Sequence, residues 1–363
     1  MEKMEVGENT MKGIVRHMNL ALSLIKAKVT NQNIPFLVQF SISNRCNLKC
    51  RYCYADYPGR SEKDLSYEQV ISIINQLAEL GTKRINIVGG EPLIRKDIDD
   101  IVFYIKNKGI ECTMTTNGHF VPYKIDVIKK LDLLCISLDG IKEKNDLQRG
   151  QGTHDAVIKA LDIATSNGVI CQISCVLTKG TLDSIDYMVE IGNKYNAKVA
   201  FTTLIKPVEQ TTTYDELIPT DQEYKTAIQK IIKLKEEGAP VLFSKDTLEY
   251  ALHWPKPYSE DRMFEKPSRD SPTCYAGRFF VIIDVNGDVY RCPQMVNRVK
   301  KVNCLDLGVK QALQQVAKDK TCKTCHIPCS NELNYYFGMN LKVIFNYLKS
   351  YHSKKKRISP TKK

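Results

Sequence analysis

The sequence predicts an α/β fold built on a parallel sheet, and three observations carry that prediction. Short apolar, strand-like segments alternate with helical patterns from residue 36 onward. The helical patterns are one-sided, as in Val70, Ile73, Ile74 and Leu77, whose spacing places all four on one face. Six such strand–helix repeats follow one another, and the crossover in each repeat makes neighbouring strands parallel, with helices outside the sheet.

In chain order, strands are expected at 36–42, 84–88, 110–115, 133–137, 170–176 and 198–203. Helices are expected near 68–80, 97–108, 124–130, 154–167 and 183–195, with Asp97 and Thr153 or His154 as helix starts. Ahead of the first strand, Ile14, Val15, Met18, Leu22, Ile25 and Val29 form a helical stripe, with Lys12, Arg16, Lys26 and Lys28 off it. Two readings stand: a helix packed on the protein or a partner subunit, and a basic amphipathic helix on a membrane surface. A further helix is expected at 221–237. The segment 252–273 is rich in proline and charge, carries the single Trp254, and reads as a connector or a lid. Phe279 to Asp284, a turn at Asn286-Gly287, and Asp288 to Arg291 read as a hairpin. Residues 335–351 repeat the amphipathic theme with Tyr335, Tyr336, Phe337, Leu341, Ile344, Phe345, Leu348 and Tyr351. The expected units are 1–33 (amphipathic helical segment), 34–237 (core), 238–273 (linker or lid), 274–333 (small α+β cysteine domain) and 334–363 (basic amphipathic tail). Periodicity alone leaves a barrel and a doubly wound sheet both open.

The 363 residues, 43% apolar and 26% charged, have the balance of an ordinary soluble protein. The thirteen cysteines are odd in number and mostly clustered, which argues against a disulfide framework and for a reduced cytoplasm. No signal-peptide pattern opens the chain, and no run reaches the ~18 apolar residues of a spanning helix. The net charge of +12 is uneven: Lys342, Lys349, Lys354, Lys355, Lys356, Arg357, Lys362 and Lys363 follow residue 340 with no acid among them. Such a tail is solvated, or it holds anionic lipid or nucleic acid. No aromatic–basic recognition motif supports nucleic acid, which is not expected as a partner.

Cys46, Cys50 and Cys53 stand as C-x3-C-x2-C just after the first strand. Soft thiolates at this spacing suit an iron–sulfur cluster, with zinc as the alternative. A cluster usually takes four protein ligands, so three leave one iron open. Gly89-Gly90-Glu91-Pro92, Thr115-Thr116-Asn117-Gly118, and Ser137-Leu138-Asp139-Gly140 with Arg149 and Gly150 each follow an expected strand, where α/β enzymes place ligands. Together these segments resemble the radical S-adenosylmethionine (SAM) superfamily over about residues 34–205. The resemblance implies a partial (β/α)6 TIM-like barrel, open on one side. It also implies a [4Fe–4S] cluster on Cys46, Cys50 and Cys53 whose open iron chelates SAM. An electron from the cluster then cleaves SAM to methionine and a 5′-deoxyadenosyl radical. By the same resemblance Tyr52 lies near the adenine, and Gly89, Gly90, Glu91 and Pro92 meet the SAM amino group. Thr116, Asn117, Ser137, Asp139 and Arg149 surround the ribose and carboxylate. The family's glycine-rich segment on a later strand is not evident; Thr202-Thr203-Leu204-Ile205 stands in its place.

Cys274 and Cys292 flank the hairpin as Cys-x12-Gly-x4-Cys, and Cys322, Cys325 and Cys329 follow as C-x2-C-x3-C. This resembles the SPASM and twitch extensions of radical SAM enzymes. Five cysteines in register, or six with Cys304, fall short of the full SPASM set and imply the twitch type, with one auxiliary [4Fe–4S] cluster. Cys274, Cys292, Cys322 and Cys325 are the first choice of ligands, Cys329 can replace one of them, and zinc stays a rival. Cys112, Cys135, Cys171 and Cys175 lie in strands and read as core, with Cys135 and Cys175 near strand ends.

The expected function is a radical SAM enzyme that abstracts hydrogen from a small metabolite, sugar or lipid. The ~35 residues before the first strand are few for a peptide-recognition domain, which makes a peptide-modifying maturase the alternative. An electron-transfer protein without turnover is the reading from another class, and the glycine and acid segments speak against it. A flavodoxin- or ferredoxin-type reductant is the expected partner, and the expected location is cytoplasmic with peripheral membrane contact.

Overall fold

The computed structural model describes residues 20–55, 59–205, 212–258, 263–264, 271–296, 298–319 and 322–346. It opens with α1 (20–29) and β1 (Leu37–Ser41). Then come α2 (Tyr67–Glu79), β2 (Arg84–Val88), α3 (Ile98–Asn107), β3 (Glu111–Thr116), α4 (Ile125–Ile128), β4 (Leu133–Ser137), α5 (Lys142–Arg149), α6 (Thr153–Ser166), β5 (Cys171–Leu177), α7 (Ile185–Lys194) and β6 (Lys198–Thr203). Every expected strand is present to within one residue at each end. The exact start of α2 is set by a capping box, in which Ser66 accepts from the Gln69 amide and Gln69 returns the bond, a device worth about 1 kcal/mol. Its buried face is Val70, Ile73, Ile74 and Leu77, each contributing roughly 1.5–3 kcal/mol by burial.

β1 to β6 are parallel neighbours in strict chain order. An order without a reversal excludes the doubly wound sheet, whose strand order switches direction midway. Right-handed crossovers then place all the helices on one side. Val38, Phe40, Ile85, Ile87, Leu134, Ile136, Ile173, Val199 and Phe201 fill the layer between sheet and helices. The alternate positions in the middle of the sheet are polar. Gln39, Asn86 and Thr113 stand in register across three strands, and Thr115, Cys135 and Gln172 across the next three. Thr113 donates to Asn86 at 2.9 Å. The inner face of the half-barrel is therefore a polar lumen. Cys112, Cys171 and Cys175 lie on the helix side, whereas Cys135 belongs to the lumen side, where Gln172 reaches its sulfur at 3.8 Å.

The rest of the chain supplies α8 (Thr212–Leu217), α9 (Asp221–Glu236), α10 (Lys245–Leu252), β7 (Met263–Phe264), β8 (Phe280–Ile283), β9 (Val289–Tyr290), α11 (Cys304–Leu307), α12 (Val309–Lys318), β10 (Thr324–Cys325), α13 (Pro328–Phe337) and α14 (341–346). β8 pairs in parallel with the outer edge of β1, Leu37 opposite Phe280, and β9 folds back on it, giving an open eight-stranded sheet. The small C-terminal part thus continues the barrel's own sheet. On the open flank, Phe337 of α13 stacks against Phe36 and Phe280 at 6.2 and 6.3 Å, while the same helix touches β6. α13 therefore bridges the gap between the two ends of the half-barrel.

Three expectations change here. The interval 238–273 is not a linker throughout: α10 packs on α9 and α13 with Leu248 fully buried, and Trp254 is buried beside Tyr250 and His326. The amphipathic pattern at 335–351 is interrupted between α13 and α14, and its end, like the basic tail beyond, lies outside the described residues. The helix near 11–29 is described only as α1, which docks through Leu24 and Ala27 and not through the stripe of Leu22, Ile25 and Val29.

Candidate functional site

The β1–β2 ladder does not stop at the strand ends. Ile42 donates to Val88, Gly90 to Ser43 at 2.7 Å, and Glu91 to Arg45 at 2.8 Å, so the loop after β2 is zipped to the loop that enters the cysteine run. This contact dictates the two glycines. Gly89 has φ +137°, and a Cβ there would sit 2.6 Å from the Ser43 carbonyl; at Gly90 it would sit 2.4 Å from that of Arg45. Asp64 fixes the other side, accepting from the Ser43 hydroxyl and the Asn44 amide at 2.7 Å each.

Cys46, Cys50 and Cys53 follow immediately, all half-buried, and near enough that Cys53 raises the pKa of both others and Cys46 that of Cys50. The Leu48 amide reaches the Cys46 sulfur at 3.4 Å. Burial pushes the Cys46 thiol up, and the Cys50 thiol up to about 11, although the nearby Arg149 charge opposes the shift at Cys50. The loop is tied down at two further points. Arg51 donates its amide to Gln148 of α5 at 2.9 Å, and Asn117 donates to Asn47 at 2.8 Å. Three clustered, half-open thiols can hold a cluster by three ligands and leave one side free.

Glu91 lies behind this loop, fully buried. Its carboxylate accepts from the Thr116 hydroxyl and the Asn117 amide at 2.8 Å and from the Leu93 amide at 3.1 Å; Pro92 opens the turn that aims the last of these. Burial nevertheless pushes its pKa up to about 7 against those three donors. A second buried carboxylate, Asp139, is paired. Arg149 Nε donates to it at 2.6 Å, the Val176 amide at 2.9 Å, and the Tyr52 hydroxyl completes the set. The Arg149 guanidinium also lies 5.3 Å from the Tyr52 ring. Burial works against the charged Arg149, but Asp139, Tyr52 and Cys50 together outweigh it, so its pKa rises further. Tyr52 packs in addition beside Leu204, Tyr214 and Leu217. The Thr202–Ile205 segment thus reaches the Tyr52 side of the site. Ser137 ends β4 on the lumen face, opposite Ser174.

Sequence reasoning missed α5. It was unreadable because its buried residues, Asn145, Asp146, Gln148 and Arg149, are polar and give no apolar stripe. They serve hydrogen bonds: Asn145 accepts from the Asp139 amide, and Asp146 caps α6 through the Gly152 and His154 amides. A signal existed in Asp146 placed six residues before Gly152, a spacing that suits a turn-capping carboxylate.

A second constellation surrounds the β8–β9 hairpin. Cys274, Cys292, Cys322 and Cys325 line one hollow with Arg291 and Met295. Cys329 is not brought there; it sits at the start of α13 and packs against the main core, as Cys304 does. Among the described residues no three His, Cys, Asp or Glu side chains converge on the point a single ion would occupy. The four cysteines instead line the hollow side by side. Burial pushes the Cys292 and Cys325 thiols up, and Cys322 to about 11, with the neighbouring thiols adding to each shift. Arg291 staples the wall, donating to the carbonyls of Ala276 at 3.2 Å, Asp319 at 2.6 Å and Cys322 at 3.3 Å. Gly277 is required beside it: with φ +83°, a Cβ there would lie 2.8 Å from Arg291 Cγ. Tyr54 packs against the apolar cluster that contains Cys292 and Cys322, so the residue after Cys53 forms part of the partition between the two cysteine groups.

The family described as the radical SAM superfamily matches residues 40–191. Among curated proteins, the mycofactocin maturase MftC of Mycolicibacterium smegmatis is 28% identical over 273 residues, 71% of this chain and 64% of that protein. The GTP 3′,8-cyclase of Clostridium botulinum is 30% identical over 231 residues, 57% of this chain and 72% of that protein. The chain spans just under two thirds, 64%, of the length of the mycofactocin maturases it matches. Among solved structures, Streptococcus suis SuiB bound to S-adenosylmethionine has a TM-score of 0.62 at 20% identity, covering 79% of this chain and 67% of that one. SuiB bound to the precursor peptide SuiA has a TM-score of 0.61 at 18% identity, covering 82% of this chain and 68% of that one. At these identities the likeness to SuiB concerns the fold. No helix among the described residues is long and apolar enough to cross a membrane.

Proposed function

The chain belongs to the radical SAM superfamily, and from that premise we propose that it is a peptide-modifying maturase. The observation that carries the substrate class is the polar lumen, where Gln39 stands in register with Asn86 and Thr113, themselves joined by a hydrogen bond, a lining that suits a polar chain such as a peptide backbone. The likeness in fold to SuiB, solved with a precursor peptide, supports the same reading. A small-metabolite substrate, the first expectation from sequence, draws support from the match to the GTP 3′,8-cyclase and stands second.

In this proposal Cys46, Cys50 and Cys53 hold a [4Fe–4S] cluster. With SAM bound, that cluster supplies one-electron cleavage of the sulfonium and hydrogen abstraction from an unactivated carbon. The chain's own residues orient and enclose. Gly89 and Gly90 let the acid loop approach the cysteine loop, and Glu91 and Pro92 face the SAM amino group. Thr116 and Asn117 fix the Glu91 carboxylate. Asp139 and Arg149 lock the Tyr52 ring for the adenine, and Ser137 borders the ribose. Cys274, Cys292, Cys322 and Cys325 hold one auxiliary [4Fe–4S] cluster, with Cys329 outside the set. Residues 34–237 together with α10 make the barrel unit, and 274–333 the auxiliary unit. A flavodoxin- or ferredoxin-type protein supplies the electron.

The test is anaerobic reconstitution with iron and sulfide, then SAM and a strong reductant, with 5′-deoxyadenosine measured by mass spectrometry. A peptide-rich fraction of the source cells is expected to stimulate its formation above a small-molecule extract. Stimulation by the extract alone would turn the reading to a small metabolite. No 5′-deoxyadenosine with iron bound would remove the enzyme reading.

A further inference from the structure

Two stretches of this chain contain no carboxylate side chain: no Asp or Glu occurs from Asn9 to Ala55, or after Glu332. Both stretches fold onto one apolar cluster. Leu24 and Ala27 of α1 and Phe337 at the end of α13 meet there around Phe36 and Phe279. Docking α1 by Leu24 and Ala27 turns its opposite side outward. Leu22 is 63% exposed, Ile25 43% and Val29 81%. At 100° per residue these three form a single stripe, and Lys26 and Lys28 fall on either side of it. α14 repeats the arrangement one helix away, with Val343 fully buried and Leu341 and Phe345, one turn apart, 68% and 60% exposed. Isolated exposed apolar residues need no explanation. Two such sets, on helices whose own stretches carry no acid, do; Asp246 of α10 is paired with Lys342 of α14 at 3.7 Å and leaves the lysines of α1 in excess.

We propose that this face docks on an anionic membrane surface. α1 lies in the interface with Leu22, Ile25 and Val29 toward the acyl chains, Leu341 and Phe345 form a second contact, and the lysines meet the headgroup phosphates. The chemistry selects this occupant. An outward apolar stripe bordered by lysines is the pattern of a helix lying in the membrane plane. Basic residues in both stretches add electrostatic attraction to the anionic headgroups. A second copy of the chain would bring the same lysine-bordered stripe of α1 against this one. Nucleic acid would use the charges and leave the apolar stripe in water. The proposal stands apart from the choice of substrate.

The experiment is co-sedimentation of the full chain with phosphatidylcholine vesicles, alone and mixed with phosphatidylglycerol, at low and high salt. Binding to the mixed vesicles only, weakened by salt, is expected. The combined variant Leu22→Ser, Ile25→Ser, Val29→Ser is expected to lose about tenfold or more in affinity. Leu341→Ser with Phe345→Ser is expected to lose less. All five side chains are exposed, so circular dichroism is expected to show the native fold in each variant. Absence of binding to the mixed vesicles overturns the proposal. So does full binding by the five-site serine variant, which would leave only the charged tail at work. Equal affinity for duplex DNA, or self-association that the serine changes abolish without any vesicle binding, would assign the face to nucleic acid or to a second copy.

Discussion

The two cysteine groups of this chain are built from similar residues and have opposite environments. Cys46, Cys50 and Cys53 are all half-open, on a loop backed by two buried carboxylates, Glu91 and Asp139. Cys292, Cys322 and Cys325 are buried, with Cys274 half-buried, around a hollow whose wall contains a guanidinium. One group has three partly exposed cysteines, which in the proposed reading leaves it short of a ligand. The other has four cysteines in a closed setting. The difference is the one seen between catalytic and structural metal sites generally: reactive sites keep a position open, and closed sites hold. Three cysteines are therefore better suited to chemistry than four, when polar groups surround the open side.

The comparison can be broken in four ways. The largest effect is expected from Cys50→Ala. 5′-Deoxyadenosine formation should fall to background while roughly half of the reconstituted iron remains, as the proposal of one cluster in each group requires. Iron analysis with electron paramagnetic resonance checks this; loss of all iron would show that the groups are not separate. Next comes Asp139→Asn, which leaves Arg149 buried without its counter-charge and should cost about 3–5 kcal/mol in a urea titration. A much smaller loss would mean that water or another group compensates Arg149.

The third test uses pH. The Glu91 pKa is raised from 4.5 to about 7 in the folded, unloaded chain. Its contribution to stability is then fully present below pH 4.5 and is lost as pH rises toward 7, because the unfolded chain gives up the proton first. At about 1.4 kcal/mol per unit this amounts to roughly 3 kcal/mol. Glu91→Gln should remove that part of the slope in denaturation curves measured across this window. The smallest effect is expected from Cys329→Ala, which lies outside the hollow and should leave iron content unchanged. Cys325→Ala is the paired control that should not.

The barrel strands were legible because each is a short apolar run followed by a one-sided helix, a signal that local sequence carries whole. The motif loops were legible because their glycines and acids follow strand ends. What stayed hidden depended on distant partners. The hairpin of β8 and β9 was readable, but its pairing with β1 was not, since nothing local records a neighbour far along the chain. α5 escaped because burial of Asn145 and Gln148 is driven by hydrogen bonds. In α1 the periodicity was right, but burial followed Leu24 and Ala27 rather than the stripe, because small Ala27 permits close approach to the cluster. In the fold Cys325 lines the hollow, whereas Cys329, on the helix that begins at Pro328, packs against the main core.

The pairing of β8 with β1 also bears on how this protein is made. On the ribosome, β1 to β6 emerge first, with the outer edge of β1 unpaired. At roughly 5–20 residues per second, the ~80 residues between the end of β6 and the start of β8 take about 4–15 seconds to synthesise. Throughout that interval the nascent half-barrel presents a free strand edge, which makes this step the one most in need of a chaperone's cover.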